Sequence, residues 1–134
     1  IYAIEKKADA LELLANNQKH LGVTNLEIIA GEAPEVLEKL PAPTHAFIGG
    51  SSGNMKEIVN LLLEKNPGVR IVINCIALET AAEVMNLLKE TTFEYQDIVQ
   101  VYVGKSRTLG KYHMMMGQNP VYIITLQRNL NETA

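Results

Sequence analysis

His45-Ala46-Phe47-Ile48-Gly49-Gly50-Ser51-Ser52-Gly53-Asn54-Met55 sets a short apolar run directly against a glycine-rich turn and then a helix start. A turn of this kind lets a ligand come close to the backbone and presents unpaired N–H groups at the beginning of the helix. A tight turn that merely needs positive φ has the same composition, and spacing alone leaves both readings open. No Gly-Lys-Ser or Gly-Lys-Thr follows, so this is not a phosphate loop, and G-x-G-x-x-G is not matched either. Asn54 or Ser52 suits the N-cap of a helix whose buried stripe is Met55, Ile58, Val59 and Leu62.

The same strand-then-helix rhythm extends in both directions. Upstream, Ile1–Ile4 is an apolar tetrad ending in Glu5, and a helix follows from Ala8 with apolar positions at Leu11, Leu14 or Ala15, and Leu21, stopped by Gly22. Leu26–Ala30 reads as a second strand, followed by a short helix begun by Pro34 with Val36, Leu37 and Leu40 on one side. Pro41-Ala42-Pro43 forces an extended connection. Downstream, Asn66-Pro67-Gly68 marks a turn, and Arg70–Cys75 lacks polar alternation, as expected of a strand covered on both faces. Leu78–Glu90 is helical. Phe93–Val103 and Val121–Leu126 then read as two strands, with residues 104–120 as a loop or irregular insertion rich in Gly and Met. Strand-helix repeated four times implies an α/β, Rossmann-like, mostly parallel sheet, and the last two strands add a terminal antiparallel pair.

The chain has 134 residues, 47% hydrophobic and 20% charged, with a net charge of -3, so it reads as one globular domain. That charge argues against a nucleic-acid partner held by a strongly basic surface. No apolar run reaches the roughly 18 residues of a membrane-spanning helix. One cysteine, Cys75, excludes an internal disulfide framework and gives a cytoplasmic setting as the default expectation. The charge is unevenly spread. Residues 1–97 carry fourteen acids against eight bases, whereas from Ile98 onward Lys105, Arg107, Lys111 and Arg128 face a single acid, Glu132. A long stretch free of carboxylates is accidental or marks a surface that meets an anion. The chain opens at Ile1 without an initiator Met, so the expectation is a processed, trimmed or excised piece of a longer protein.

In a sheet of this type ligands sit beyond the carboxyl ends of the strands. That singles out Glu5, Gly31-Glu32-Ala33, the Gly49–Gly53 turn and Asn74. A carboxylate closing an early strand suits two adjacent ribose hydroxyls, although Glu5 beside Lys6 and Lys7 also suits a solvated strand end. His20, His45 and His113 lack paired ligand spacing, so no metal is expected, and no nucleophile or catalytic group can be assigned. Cys75 at the end of an apolar strand reads as buried and inert. Met114-Met115-Met116 reads as packing or an oligomer contact.

Ile1-Tyr2-Ala3-Ile4-Glu5, Gly31-Glu32-Ala33-Pro34, Phe47-Ile48-Gly49-Gly50-Ser51, Asn74 with Leu78-Glu79-Thr80, and Asn119-Pro120-Val121-Tyr122-Ile123-Ile124 occur in an order and at intervals that closely resemble one family. It is the C-terminal, decarboxylating domain of precorrin-6Y C(5,15)-methyltransferase, equivalent to the cobalt-precorrin-6B C(15)-methyltransferase. The resemblance covers almost the whole chain. It implies a class I methyltransferase fold, S-adenosylmethionine as cofactor and a corrinoid precursor, a polycarboxylate tetrapyrrole, as acceptor. The implied reaction is methylation of carbon 15 with decarboxylation of the carbon 12 acetate chain, in cobalamin biosynthesis. Glu5 would bind the ribose, Glu32 and Ala33 would border the adenine, and Gly49 and Gly50 would pass close to the methionine end. Asn74, Glu79, Lys105, Arg107, Lys111 and Tyr112 are the acceptor-binding candidates. A homo-oligomer is expected, a tetramer in the family, with no nucleic-acid or membrane partner.

Two features depart from the family pattern. Glu32 stands where many methyltransferases have Asp. The family's first strand and glycine-rich loop should precede Ile1, so residues 1–134 read as a single, partial domain lacking a central strand. The edges flanking that strand would be left for another segment or chain, or the sheet would rearrange. A nucleotide-binding module without catalysis, or a fragment inactive through truncation, is the alternative expectation.

Overall fold

In a computed structural model, residues 1–50 and 53–128 are described. They form two compact units, Ile1–Pro41 and the described residues from Ala42 onward.

The first unit pairs two short strands in parallel. Strand β1 (Tyr2–Glu5) aligns with β2 (Glu27–Ala30) so that Tyr2 lies opposite Glu27 and Glu5 opposite Ala30. Helix α1 (Ala8–Leu21) connects them, with Asp9 in its first turn and Lys19 and His20 in its last, each complementing the helix dipole. It stops at Gly22 as expected. The Gly22 N–H donates to the Lys19 carbonyl and the Val23 N–H to the Gln18 carbonyl, the paired bonds of a Schellman cap. Leu11 and Leu14 are half-buried, but Leu21, expected on the same stripe, is exposed at the helix end.

The expected short helix begun by Pro34 is only one 3₁₀ turn, Leu37–Lys39, preceded by turns. The stripe is right, since Leu37 is buried and Val36 and Leu40 are half-buried. What ends the helix is Pro41, which biases Leu40 to the extended backbone it adopts (ψ 156°).

The second unit holds β3 (His45–Ile48), α2 (Met55–Lys65), β4 (Arg70–Cys75), α3 (Leu78–Glu90), β5 (Tyr95–Val101), β6 (Gly104–Leu109), β7 (Tyr112–Gly117) and β8 (Val121–Gln127). Four strands form a sheet in the order β3-β4-β8-β5. β3 and β4 are parallel, and β8 runs antiparallel between β4 and β5. Ile71, Ile73, Cys75, Ile124 and Leu126 are buried on the sheet, as are Met55, Ile58, Val59, Leu62 and Leu63 of α2 and Val84 and Leu87 of α3. The stripe read from the α2 sequence is therefore the core stripe. Asn54 is the residue at the α2 N-cap, and its carbonyl accepts the Ile58 N–H. Ser52, the other candidate cap, lies outside the described residues.

β4 differs from the expectation of full cover on both faces. Ile71, Ile73 and Cys75 are buried, whereas Arg70, Val72 and Asn74 are only half-buried, so this apolar run still alternates.

Residues 104–120, read as a loop, contain a hairpin. β6 and β7 pair with Leu109 opposite Tyr112, leaving Gly110-Lys111 as a two-residue turn. Gly110 has φ +61°, which the first central position of a tight hairpin turn requires. The other two glycines, Gly104 and Gly117, face each other across the open end of the ladder, where they interrupt nothing. The Gln118 N–H closes the base onto the Val103 carbonyl at 2.8 Å.

The Asn66-Pro67-Gly68 turn is held from three sides. Asn66 Oδ1 accepts the Gly68 N–H, Asn66 Nδ2 donates to the Pro43 carbonyl, and the buried Gln127 donates through Nε2 to the Gly68 carbonyl. Replacing Gln127 by Leu keeps the volume and deletes that bond. Urea unfolding should then show a loss of about 1–3 kcal/mol, the cost of stranding a buried polar group. A loss below about 0.5 kcal/mol, typical of an uninvolved surface position, would remove this role.

Candidate functional site

In the first unit the candidate residues lie at the carboxyl ends of β1 and β2. Glu5 closes β1, and its Oε1 accepts the backbone N–H groups of Lys6 and Lys7, both at 2.8 Å. These bonds fasten the carboxylate to the strand tip just ahead of α1. The Glu5 carbonyl accepts the Gly31 N–H at 3.0 Å, which draws the tip of β2 alongside. Glu32, the next residue, is half-buried, and its Oε1 lies 2.7 Å from Lys6 Nζ. Ala33 follows, also half-buried. Glu5, Glu32 and Ala33 are thus brought together, and Lys6 is a fourth member that no spacing rule singled out.

Gly31 makes this arrangement possible. Its φ is +149°, and a Cβ there would lie 2.3 Å from Val36 Cγ1. No side chain fits between the strand end and the turn that carries Glu32 and Ala33.

In the second unit a parallel pair builds a similar edge. Ile48 aligns with Ile73, so Gly49 and Gly50 leave β3 beside Asn74 at the end of β4. Both glycines are exposed, and a Cβ on Gly50 would meet no atom within 4 Å among the described residues. Ser51 and Ser52 of the same turn lie outside the described residues. Glu79, exposed, stands in the first turn of α3, the element entered directly from β4. Phe47 is a further residue at this edge. Its side chain is 67% exposed, and its ring lies 3.3 Å from where a Gly49 Cβ would be. Its place in the apolar run His45–Ile48 does not signal that exposure.

The antiparallel strand brings the basic residues to the same edge. Cys75 aligns with Tyr122, and β5 ends at Val101 opposite Val121. The hairpin β6–β7 therefore leaves and re-enters the sheet at the carboxyl end of β4. Directly opposite residues in an antiparallel ladder share a face. Lys105 opposite Met116, Arg107 opposite Met114 and Leu109 opposite Tyr112 consequently form one surface, two cations alternating with apolar side chains. Lys111 sits in the turn with its Nζ 5.7 Å from the centre of the Tyr112 ring.

Lys56 Nζ pairs with Glu90 across α2 and α3, and the hydrogen bond to that carboxylate raises the lysine above its usual range. Two shallow surface depressions on these helices are lined mainly by polar residues such as Asn60, Glu64, Glu83 and Arg128, and one of them reaches Gly53 at the end of the glycine-rich turn. Burial pushes the Cys75 thiol up, which suppresses the nucleophilic thiolate. Among the described residues, no group of three or more His, Cys, Asp and Glu is placed to hold a metal ion, and no helix is long and apolar enough to cross a membrane.

A family model described as the precorrin methyltransferase domain matches residues 1–128. The chain belongs to this family. A protein of Methanothermobacter thermautotrophicus, described as a probable cobalt-precorrin-6B C(15)-methyltransferase (decarboxylating), is 35% identical over 126 residues, covering 92% of this chain and 65% of that relative. One of the same description from Sulfolobus acidocaldarius is 36% identical with the same coverage. The chain therefore spans about two thirds of the length of these curated relatives. Among solved structures, precorrin-6Y C5,15-methyltransferase from Geobacter metallireducens superposes with a TM-score of 0.85 at 32% identity, covering 95% of this chain and 67% of the other. Precorrin 8W decarboxylase from Methanobacterium thermoautotrophicum gives 0.83 at 33% identity, covering 93% and 68%. A SAM-dependent O-methyltransferase from Thermotoga maritima, at 12% identity and 0.66, covers 96% of this chain and 49% of its own and shares the fold alone. The fold is the Rossmann-like class I methyltransferase fold, as the family resemblance implied.

Gly31→Ala tests the architecture of the first edge. The added methyl should cost about 1–3 kcal/mol in urea unfolding, through overpacking against Val36 and an unfavourable φ. Wild-type stability in the variant would mean that this strand end is not built as described.

Proposed function

We propose that the protein carrying this chain transfers a methyl group from S-adenosylmethionine to carbon 15 of a precorrin and removes carboxylate from the carbon 12 acetate chain, in cobalamin biosynthesis. The observation that carries the reading is the Glu5 carboxylate, fastened by two backbone N–H groups at the tip of a parallel strand with Glu32 on the neighbouring tip. Both bonds use Oε1, and Oε2 is the atom assigned to the ribose hydroxyls. Glu32 and the backbone of Ala33 border the adenine. Gly49 and Gly50, with no side chains to intrude, pass the methionine end and the reacting methyl. Family membership and the overall likeness to precorrin methyltransferases support the same assignment.

The donor supplies an activated methyl on a sulfonium, so the protein's task is chiefly orientation, worth up to roughly 7–11 kcal/mol in favourable cases. A site made of main chain and one acid suffices for that. The acceptor is a polycarboxylate built on an apolar macrocycle. The face that alternates Lys105 and Arg107 with Met116 and Met114 offers both kinds of contact, and Arg107 can engage a carboxylate bidentately. Lys111, Tyr112, Asn74 and Glu79 complete the acceptor set, and Tyr112, His113 or Glu79 handles the proton that replaces the lost carboxylate.

The free edges point to a further component. Among the described residues β1 pairs only with β2 and β3 only with β4. The methionine part of the donor is assigned to a strand and glycine-rich turn from a segment outside residues 1–134. Met115, opposite Ser106 on the other face of the ribbon and 69% exposed, we assign to contact with a second copy of the protein, in the cytoplasm.

Calorimetry on the full-length protein tests the donor assignment. S-adenosylhomocysteine should bind and NAD should not, and Glu5→Ala should weaken S-adenosylhomocysteine by about tenfold or more, the loss expected when hydrogen bonds to a charged group disappear. Unchanged affinity in the variant contradicts the assignment. Tighter binding of NAD would favour a nucleotide-binding module of another kind.

Arg107→Ala addresses the acceptor. It should raise the acceptor KM and leave S-adenosylhomocysteine affinity unchanged, and equal losses for both ligands would remove the assigned role.

A further inference from the structure

Lys6 touches both acids of the first edge. Its backbone N–H donates to Glu5 Oε1 at 2.8 Å, and its Nζ donates to Glu32 Oε1 at 2.7 Å, an ion pair joining residues 26 apart in sequence. The lysine and glutamate side chains are 44% and 42% exposed, so the pair stands at the rim of the strand tips. Two consequences follow from elementary electrostatics. The ammonium cancels one of the two negative charges that the adjacent tips would otherwise present together. It also narrows the rotamers open to the Glu32 side chain.

We infer that Lys6 is a positioning residue of the donor site: through its ion pair it holds Glu32 in the orientation in which the acid accepts from the exocyclic amine of adenine. The inference rests on the donor assignment above. Lys6 acts through Glu32 and makes no contact of its own with the reacting atoms. The positioning effect is the part that depends on Glu32 and falls on recognition of the base. A lysine that merely supported the fold would alter neither base preference nor its coupling to Glu32.

The test is a double-mutant cycle on the full-length protein, read by calorimetry with S-adenosylhomocysteine and with its inosine counterpart, which has an oxygen in place of the exocyclic amine. Lys6→Met should weaken S-adenosylhomocysteine by about fivefold, the upper end of what an exposed ion pair supplies, and reduce the preference for the adenine form. Lys6→Arg should restore both. On a Glu32→Gln background Lys6→Met should cost nothing further, and Lys19→Met, removing an equal charge from the far end of α1, should change neither ligand. Full loss on the Glu32→Gln background, unchanged base preference, or the same loss from Lys19→Met would each overturn the positioning role. Failure of the wild-type protein to bind S-adenosylhomocysteine is a distinct result, and it would overturn the donor assignment itself.

Discussion

The direction of β8 governs the rest of the second unit. Because it enters the sheet antiparallel between β4 and β5, its first residues lie beside the last residues of β4. The chain that links β5 to β8 is then obliged to turn at the carboxyl ends of the parallel strands. That is the end at which Gly49 and Gly50 leave β3 and at which α3 begins. Had β8 run parallel, the linking residues would have had to return to the opposite edge first. Backbone pairing thus decides where the hairpin that carries Lys105, Arg107 and Lys111 is rooted.

The two edges have different chemistry for a shared reason. In the first unit the acids are held by backbone N–H groups and by a lysine, so their positions are fixed by the strand ends rather than by side-chain packing. In the second unit the glycines contribute only main chain, and charge is carried out on a two-stranded ribbon. Under the proposed function, a small polar nucleoside and a large anionic ring would make those separate demands. Hydrogen bonds to a fixed acid would select the first, while alternating cations and methionines would suit the second.

Much of this was legible in the sequence, and the exceptions have physical causes. The core stripe of α2, the stop at Gly22 and the end of β1 at Glu5 each follow from a local rule of periodicity or capping. The hairpin was hidden because three glycines and a run of methionines carry the composition of a loop. Gly104 and Gly117 sit opposite each other at the ladder end, and Gly110 forms the turn, a pairing that no local rule exposes. Pro34 reads as a helix start, but Pro41 follows too soon for an α-helix to develop. Lys6 is not marked by any local rule, because its partner, Glu32, is distant in sequence and reaches it only when β2 lies beside β1. The exposure of Phe47 likewise depends on what stands next to β3, a property that an apolar tetrad cannot encode.

Chemical-shift mapping of the backbone amides, with S-adenosylhomocysteine added to the full-length protein, tests the central claim most directly. The largest shifts are expected at residues 5–7, 31–33 and 49–50, at the carboxyl ends of the parallel strands. Shifts concentrated instead on the outer surfaces of α2 and α3, with those strand tips unmoved, would contradict that claim.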